Sequence, residues 1–369
     1  MSESMQAYRL VAWGEPPQLV EVPVPRPGPG QVLVRVAGNG LCHSDITMGE
    51  LPAQIGEALG WSMPFTLGHE VGGWVAELGA GVVGPAVGEA VALRSPASCG
   101  SCWYCTRGQD SACAGGLVGR GYGRDGGLAE FVLAESAGDV LPLTSVDPVL
   151  AGPLTDAGAT SYHAVRRTLP RLVPGATAVV IGAGGLGVFA VQFLKALSPV
   201  RVVAVDTDPA RLEVATALGA DDVVTGVDRD TVANLFELSG GGAAAVLDFV
   251  GVDETIAAGI VAVRPAGTYG LVGAGMGSFR RPWYGGLPRD AEIFTFQGSS
   301  RSDVEDVLAL ADSGHLVIDT EQFALADVAE AYAALERGGL RGRVVVVPEH
   351  GDRSTARTGP SSGAPRSMG

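Results

Sequence analysis

The sequence predicts an α/β protein in which a mainly-β N-terminal domain precedes a doubly wound parallel sheet. Up to about residue 150, short apolar runs such as the alternating Val32, Val34 and Val36 are separated by glycine and proline clusters, which is typical of β structure. From about residue 157, strand-like apolar runs alternate with stretches of helical length, and this favours a parallel sheet covered by helices. A chain of 369 residues also exceeds one ordinary core, so two domains are expected.

The domain boundaries follow from these changes of pattern. We predict that residues 1–156 form the β domain, that residues 157–297 form the parallel-sheet domain, and that residues 298–348 return to complete the first. This returning segment contains two helical stretches, "DVEDVLALADSG" and "DVAEAYAALERG", and a closing strand, "GRVVVVP". Residues 349–369 are rich in Ser, Gly, Pro and Arg with little to bury, so we expect a disordered tail.

The charge balance argues against two classes of partner. The chain has 25 basic and 40 acidic side chains, a net charge of −15, which repels phosphate backbones and anionic lipids. We therefore expect neither a nucleic acid nor a membrane partner. The N-terminal residues show no secretory signal, and the longest apolar run, 178–191, is too short for a membrane span. A cytoplasmic, reducing location is expected.

Four of the five cysteines lie in one short stretch with the spacing C-x2-C-x2-C-x7-C. Four thiolates on one loop can surround a tetrahedral Zn²⁺ and leave no open coordination position, which is typical of a structural site. Disulfides between cysteines so close in sequence would be strained, and a reducing compartment disfavours them. The predicted ligands of a structural zinc are Cys99, Cys102, Cys105 and Cys113.

A glycine motif predicts a dinucleotide site. The segment "VVIGAGGLG" follows a predicted strand, opens a predicted helix and places glycines in a G-x-G-x-x-G pattern. The glycines allow a tight turn, a close approach of backbone to pyrophosphate, and close packing of helix on strand. The residues assigned to this loop are Gly182, Gly184, Gly185, Leu186 and Gly187.

An acidic residue after the next strand predicts the choice of cofactor. Asp206 ends "RVVAVD", nineteen residues beyond Gly187, close to the spacing expected for the acid that binds the adenosine ribose. A carboxylate there repels a 2′-phosphate, so NAD is favoured over NADP. Nearby Arg211 could soften that repulsion, although such an arginine is more often a solvated helix residue.

Two further stretches, "GLCHSD" and "LGHEVGG", supply Cys42 and His69 as candidate metal ligands. Alone, such residues are usually a small core hydrophobe and a hydrogen-bonded structural histidine. Together with the cysteine stretch, "LTDAG", "GAGGLG" and "GRVVVVP", however, they resemble the zinc-dependent medium-chain alcohol dehydrogenases from about residue 7 to residue 348. The similarity is greatest to the bacterial NAD-dependent secondary-alcohol dehydrogenases, and it implies a GroES-like catalytic domain beside a Rossmann domain.

The resemblance implies a second, catalytic zinc, so that each chain would hold two. Its ligands would be Cys42, His69 and Asp156, the last being cysteine in many relatives and aspartate in the secondary-alcohol branch. Replacing a thiolate by a carboxylate keeps one negative charge but makes the metal a harder Lewis acid. The site would be neutral overall and would leave one position for the substrate.

Other roles are also implied by the resemblance. Glu70 would approach the metal during ligand exchange, Asp45 would orient His69 through its second ring nitrogen, and Ser44 would hydrogen-bond the substrate oxygen. Thr47 stands where the best-known relatives end their proton relay with a histidine, so the proton would leave by another route. The implied cofactor contacts are His43, Thr160, Gly251, Gly273 and Arg343.

The expected reaction is hydride transfer between NAD(H) and a small to medium, mostly apolar secondary alcohol or its ketone (or an aldehyde), with the alkoxide held on the catalytic zinc. A polyol or sugar-alcohol dehydrogenase and a non-catalytic cofactor-binding relative remain alternatives. Trp61, Trp283 and Tyr284 are candidates for the pocket wall, although aromatics are more often core. The resemblance also suggests a homodimer or homotetramer.

Overall fold

The computed structural model describes residues 4–95, 97–338, 340 and 342–349, apart from the side chain of Trp283. The predicted tail, except Glu349, lies outside these residues. The strands are β1 (Ser4–Leu10), β2 (Gln18–Pro23), β3 (Val32–Gly40), β4 (Phe65–Thr66), β5 (Glu70–Leu78), β6 (Ala90–Leu93), β7 (Gly119–Arg120), β8 (Gly123–Arg124), β9 (Phe131–Ala134), β10 (Val140–Pro142), β11 (Thr177–Ile181), β12 (Arg201–Asp206), β13 (Asp222–Thr225), β14 (Ala243–Asp248), β15 (Val263–Leu271), β16 (Glu292–Thr295), β17 (Thr320–Ala324) and β18 (Arg343–Val347).

Helices connect these strands, and none in the described part of the chain is long and apolar enough to cross a membrane. They are α1 (His43–Glu50), α2 (Ala53–Ala58), α3 (Pro148–Pro153), α4 (Ala159–Thr168), α5 (Gly187–Leu197), α6 (Pro209–Ala217), α7 (Arg229–Leu238), α8 (Asp253–Ala262), α9 (Trp283–Gly286), α10 (Arg301–Asp312) and α11 (Val328–Arg337).

The first large sheet is built mainly from the N-terminal part of the chain. Its order is β10-β6-β5-β3-β18-β17, with β9 also paired to β3, and the central β3–β5 pair is antiparallel. The C-terminal strands β17 and β18 pair in parallel with each other, and β18 pairs with β3. The segment after residue 298 therefore returns to this sheet, while the domain boundaries themselves stay a prediction.

The second sheet is parallel, with the order β13-β12-β11-β14-β15-β16. Because side chains alternate along a strand, β11 sends Ala178 and Val180 into a core with α5, whereas Val179 and Ile181 pack on the face that holds Ile256 of α8. Helices thus cover both faces, and the predicted doubly wound α/β fold is confirmed. The strand order reverses beside β11, the place where such sheets bind ligands.

A helical segment of mixed geometry joins the two sheets. After α3, residues Leu154–Gly158 form a π-helical turn that continues directly into α4. Helix α3 packs close to β5 because glycines meet there: a Cβ at Gly72 would lie 2.0 Å from the carbonyl oxygen of Pro148, and one at Gly152 would lie 2.2 Å from that of Glu70. This close packing brings the π-helical turn to the start of β5. Such turns are frequent at functional sites.

Candidate active site

Four potential metal ligands from distant parts of the sequence meet in one buried cluster. One ligand atom from each of Cys42, His69, Glu70 and Asp156 lies within 4.8 Å of the other three. Cys42 precedes α1, the histidine and glutamate lie at the start of β5, and Asp156 lies in the π-helical turn. His69 and Glu70 have no exposed surface. Sulfur, nitrogen and carboxylate oxygen gathered in this way form a donor set that suits zinc.

Two carboxylates flank the imidazole of His69. Asp45 Oδ1 lies 3.2 Å from Nδ1, and Asp156 Oδ2 lies 3.5 Å from Nε2. Burial lowers the pKa of His69, but the surrounding acidic groups, Tyr122, Asp45 and Asp156, raise it well above its ordinary value of 6.5. The pocket thus favours positive charge on or beside the imidazole. A zinc ion bound to Nε2 would place its positive charge beside the same carboxylates, so these residues fit the metal.

Asp45 is positioned to fix the imidazole. Its side chain is 1% exposed, and its Oδ2 accepts a hydrogen bond of 3.1 Å from the backbone nitrogen of Cys42. The other oxygen faces Nδ1 of His69, which leaves Nε2 directed toward the cluster. A carboxylate partner of this kind fixes the tautomer and orientation of a ligating histidine.

Glu70 and Arg343 form a buried ion pair between the metal cluster and the cofactor loop. Arg343 Nη2 donates to Glu70 Oε1 at 2.6 Å and to the carbonyl of Leu41 at 2.9 Å. Burial raises the pKa of Glu70 to about 7, although the charge of Arg343 opposes that shift. A Cβ at Gly185 would lie 2.6 Å from Arg343 Nη1, so the guanidinium reaches the glycine loop. One arginine therefore touches both sites.

Two residues next to the cluster carry hydroxyl groups. Ser44 Oγ is buried without a hydrogen-bond partner in the described part of the chain. The Tyr122 ring packs against that of His69, with centroids 4.5 Å apart, and its hydroxyl forms no hydrogen bond to a described residue. Thr47, in contrast, donates back to the carbonyl of His43 at 3.3 Å. Sequence reasoning missed Tyr122, although an aromatic residue within "GRGYGRDGG" was a signal.

The four-cysteine stretch folds into a separate lobe between β6 and β7. Its Sγ atoms all lie within 4.8 Å of one another, with Sγ–Sγ distances of 3.4 Å for Cys102–Cys105, 3.9 Å for Cys102–Cys113 and 4.0 Å for Cys99–Cys105. A tetrahedron with Zn–S bonds of about 2.3 Å has edges of about 3.8 Å, so these thiols fit zinc. They are too far apart for disulfides.

Backbone N–H groups of the lobe point at its sulfur atoms. Cys102 N donates to Cys99 Sγ at 3.3 Å, and Cys99 N donates to Cys113 Sγ at 3.4 Å. The N–H groups of Ser101 and Cys102 lower the pKa of Cys99 to about 6, whereas burial raises the pKa of Cys105 to about 11. Such N–H donors stabilise thiolates, the form that binds metal.

The glycine loop has the shape expected of a phosphate cradle. Gly182 adopts φ 88°, which favours glycine, and a Cβ at Gly187 would lie 1.8 Å from the carbonyl oxygen of Gly182. A Cβ at Gly184 would meet nothing nearer than Arg211 Nη1 at 3.8 Å, so this part of the loop is open to a ligand. Leu186 caps α5, and its carbonyl accepts from Ser161 at 2.8 Å.

Asp206 ends β12 beside this loop. One carboxylate oxygen accepts from Ala183 N at 2.8 Å, the other accepts from Asp208 N at 2.9 Å, and Arg211 Nη1 lies 3.8 Å away. Burial and the charges of Arg343 and Arg211 lower the pKa of His43. The structure thus places the acid at the loop, with two arginines near His43 to attract pyrophosphate.

The remaining cofactor candidates occupy different parts of the cleft. Thr160 is buried in α4, directly after the π-helical turn. Gly251 and Gly273 bring two loops into contact, since a Cβ at Gly251 would lie 2.2 Å from the carbonyl oxygen of Gly273. Both loops follow strands, β14 and β15, on the side of the sheet where β11 ends.

The aromatic candidates for the pocket wall do not gather at the cluster. Trp61 is 7% exposed, packs against Phe65 in the core and donates its indole N–H to the carbonyl of Leu117 at 2.7 Å. Tyr284 is 82% exposed. The side chain of Trp283 lies outside the described residues. Of the described pair, Trp61 is thus a core residue, and the aromatic ring at the cluster belongs to Tyr122.

Comparisons with known proteins agree with this geometry. Residues 28–145 match the alcohol dehydrogenase GroES-like domain, and residues 185–313 match the zinc-binding dehydrogenase domain. An NAD-dependent alcohol dehydrogenase of Sulfurisphaera tokodaii is 36% identical over 93% of this chain and 100% of its own. A D-arabinose 1-dehydrogenase (NADP(+)) of Saccharolobus solfataricus is 30% identical, over 93% and 97%.

A solved structure resembles the whole described fold. The alcohol dehydrogenase of Aeropyrum pernix superimposes with a TM-score of 0.86 at 33% identity, covering 93% of this chain and 100% of its own. The family-model matches include the four-cysteine lobe and residues 185–187 of the glycine loop. The chain therefore belongs to the zinc-dependent medium-chain alcohol dehydrogenase family.

Proposed function

We propose that this chain oxidises small to medium, mostly apolar secondary alcohols to ketones with NAD⁺, and that Cys42, His69 and Asp156 hold the catalytic zinc. The chain is an NAD-dependent alcohol dehydrogenase with zinc and NAD as its cofactors. The proposal adds which residues bind the catalytic zinc and which class of alcohol is oxidised. The observation that supports it is that the four ligand atoms lie within 4.8 Å of one another.

The surrounding residues divide the chemistry among them. Zinc bound at this site would polarise the substrate oxygen and lower the pKa of the alcohol. Ser44 Oγ, which has no partner among the described residues, would accept the hydroxyl proton of the substrate as it passes on its own, and NAD⁺ bound in the cleft would supply the hydride acceptor. The glycine loop and Arg343 orient the cofactor for that transfer. Thr47 donates to the carbonyl of His43 and offers no basic group to end a proton relay, so the proton of Ser44 would pass to water, by way of the nicotinamide ribose when the cofactor is bound.

The residues beside the cluster indicate which classes of substrate the site could accept. The Tyr122 ring forms an apolar wall next to His69, which supports a substrate with an apolar substituent. The free hydroxyl of Tyr122 and the D-arabinose 1-dehydrogenase relative favour a second candidate, a polyol or sugar. A non-catalytic relative is less well supported, because all three ligand positions hold competent donors.

Zinc content and turnover test the proposal together. We would measure zinc per chain and follow NADH formation with 2-propanol, 1-phenylethanol, primary alcohols and polyols. Two zinc ions per chain with fastest turnover of the secondary alcohols supports the proposal. Faster turnover of polyols that is lost in Tyr122→Phe supports the second candidate. One zinc ion and no turnover contradicts both.

The ribose-binding acid gives a separate test of cofactor choice. Asp206→Gly removes the carboxylate that faces the adenosine ribose and its repulsion of a 2′-phosphate. We expect KM for NAD⁺ to rise about tenfold, the loss of roughly one charged hydrogen bond, while NADP⁺ is used relatively better. Steady-state kinetics with both cofactors checks this. An unchanged preference would mean that another residue makes the selection.

We further propose that the protein is a cytoplasmic homodimer or homotetramer. The support is family membership and the acidic composition, which is unfavourable for membrane surfaces. Light scattering after size-exclusion chromatography measures the assembly directly. A monomer at micromolar concentration would contradict it.

A further inference from the structure

A cavity of about 650 Å³ lies behind α1, between this helix, α11 and the loop after β1. Helix α1 lines it with Asp45, Ile46, Gly49 and Glu50, residues whose spacing places them on one helical face. Neither Cys42, which holds the start of α1, nor any other residue of the metal cluster lines this space. The cavity is therefore distinct from the zinc site, although both touch the neighbourhood of Asp45.

The lining of the cavity is acidic and aromatic. Four carboxylic acids line it, and none of its described lining residues is basic. Two tyrosine rings stack there, with centroids 5.8 Å apart and planes 23° from parallel. Asp45 lies deep in the cavity at 1% exposure, while the other acids are exposed at its mouth. The residues concerned are Tyr8, Glu15, Asp45, Glu50, Tyr332 and Glu336.

Tyr332 points to a missing partner. Its side chain is 8% exposed, and its buried hydroxyl faces the carboxylate of Asp45 but forms no well-aligned hydrogen bond to a described residue. The ring of Tyr8, 7% exposed, stacks on it. Buried hydroxyls are usually hydrogen-bonded, so unsatisfied ones in the wall of a cavity indicate where a ligand or solvent binds.

We propose that this cavity binds an organic ammonium ion with an apolar or aromatic substituent. The tyrosine faces attract a cation through their quadrupoles, and the carboxylates at the mouth raise its local concentration. The volume lies within the range of ordinary small-molecule sites. A bare metal ion suits the site less well, because in the described part of the chain close groups of three or more metal-binding side chains occur only in the two clusters already described.

Isothermal titration calorimetry of the zinc-loaded enzyme with benzylammonium chloride tests the proposal. We expect saturable binding at one site per chain, weaker at higher salt, and no binding of benzenesulfonate. The E50Q/E336Q double variant should bind about fivefold more weakly, since two surface charges are lost. Tyr8→Leu, which removes one aromatic ring, should also lower the affinity about fivefold, whereas Tyr8→Phe should keep most of it. Glu237→Gln, an exposed acid on α7, is the matched control and should change nothing.

The same titration can overturn the proposal in two ways. Absence of saturable binding, or affinity that the acidic double variant leaves unchanged, would exclude this cavity as an ammonium site. Binding that disappears when NADH fills the cofactor cleft, and that the Tyr8 variants do not alter, would place the cation in the cleft instead. Glu50 and Glu336 lie on the surface, so the double variant should fold normally. Its result therefore does not depend on whether the core tolerates a substitution at Tyr8.

Discussion

The two clusters that we propose as zinc sites are built in opposite ways. The lobe takes its four thiols from one fifteen-residue stretch, and most of them are partly or largely exposed. The catalytic cluster draws on residues that are up to 114 positions apart, and His69 and Glu70 are completely buried. The lobe is therefore organised by local turns and the metal itself, whereas the catalytic cluster is organised by the fold around it.

The two clusters are therefore expected to serve different purposes: zinc in the lobe stabilises the fold, and zinc in the catalytic cluster takes part in the reaction. A closed site of four thiolates supplies folding free energy to a loop with no core of its own. The proposed catalytic ligands are already held by α1, β5 and the π-helical turn, so a zinc ion bound there would be free to serve the reaction. Removing a ligand should therefore have a different consequence in each cluster.

Cys42→Ala should have the largest effect, on turnover. Without this thiolate the catalytic zinc is lost or misplaced, and its polarisation of the substrate oxygen, worth several kcal/mol, disappears. We expect kcat/KM to fall about 1,000-fold or more. Steady-state kinetics measures the loss, and NADH binding and the melting temperature serve as controls that should be retained. Activity near that of the wild type would rule out the proposed ligand set.

Cys102→Ser should instead act on stability. The lobe would lose its zinc, and substitutions that remove a structural metal belong to the most destabilising class, so we expect the melting temperature to fall by about 10 °C. Activity measured well below that temperature should be largely kept. Gln109→Ala, an exposed position of the same lobe, is the matched control. If Cys102→Ser left the melting temperature unchanged, the lobe would need no metal.

The same contrast explains what the sequence could predict. Cys99 to Cys113 were assigned by spacing alone, because every ligand is local, and the cofactor loop was found because its glycines lie between one strand and one helix. Cys42, His69 and Asp156 carry no common spacing, and only resemblance to a family linked them. Tyr122 and Asp110 were missed, because their roles arise from contacts between segments distant in sequence.

Asp45→Asn tests how far the fold, rather than the metal, orients the catalytic ligands. The substitution keeps the hydrogen bond from Cys42 N but removes the charge beside His69 Nδ1. We expect affinity for the catalytic zinc to fall by about 10- to 100-fold. Competition with a chromophoric chelator measures this, and the zinc of the lobe acts as an internal reference. Equal loss from both sites would indicate general unfolding and not a positioning role.

The smallest predicted effect concerns a hydrogen bond between the lobe and α10. Asp110, 8% exposed and located between the third and fourth cysteines, accepts a hydrogen bond of 2.9 Å from the backbone nitrogen of Arg301, the first residue of α10. A carboxylate at a helix N-terminus contributes about 0.5–1 kcal/mol, so Asp110→Asn should lower the melting temperature of a chain this long by about 1 °C. Asp110→Ala should cost more, since it also leaves a backbone N–H unsatisfied, typically about 1–3 kcal/mol. Differential scanning calorimetry of both variants checks the order. If the two matched the wild type, the lobe would fold independently of α10, and its zinc would stabilise the loop alone.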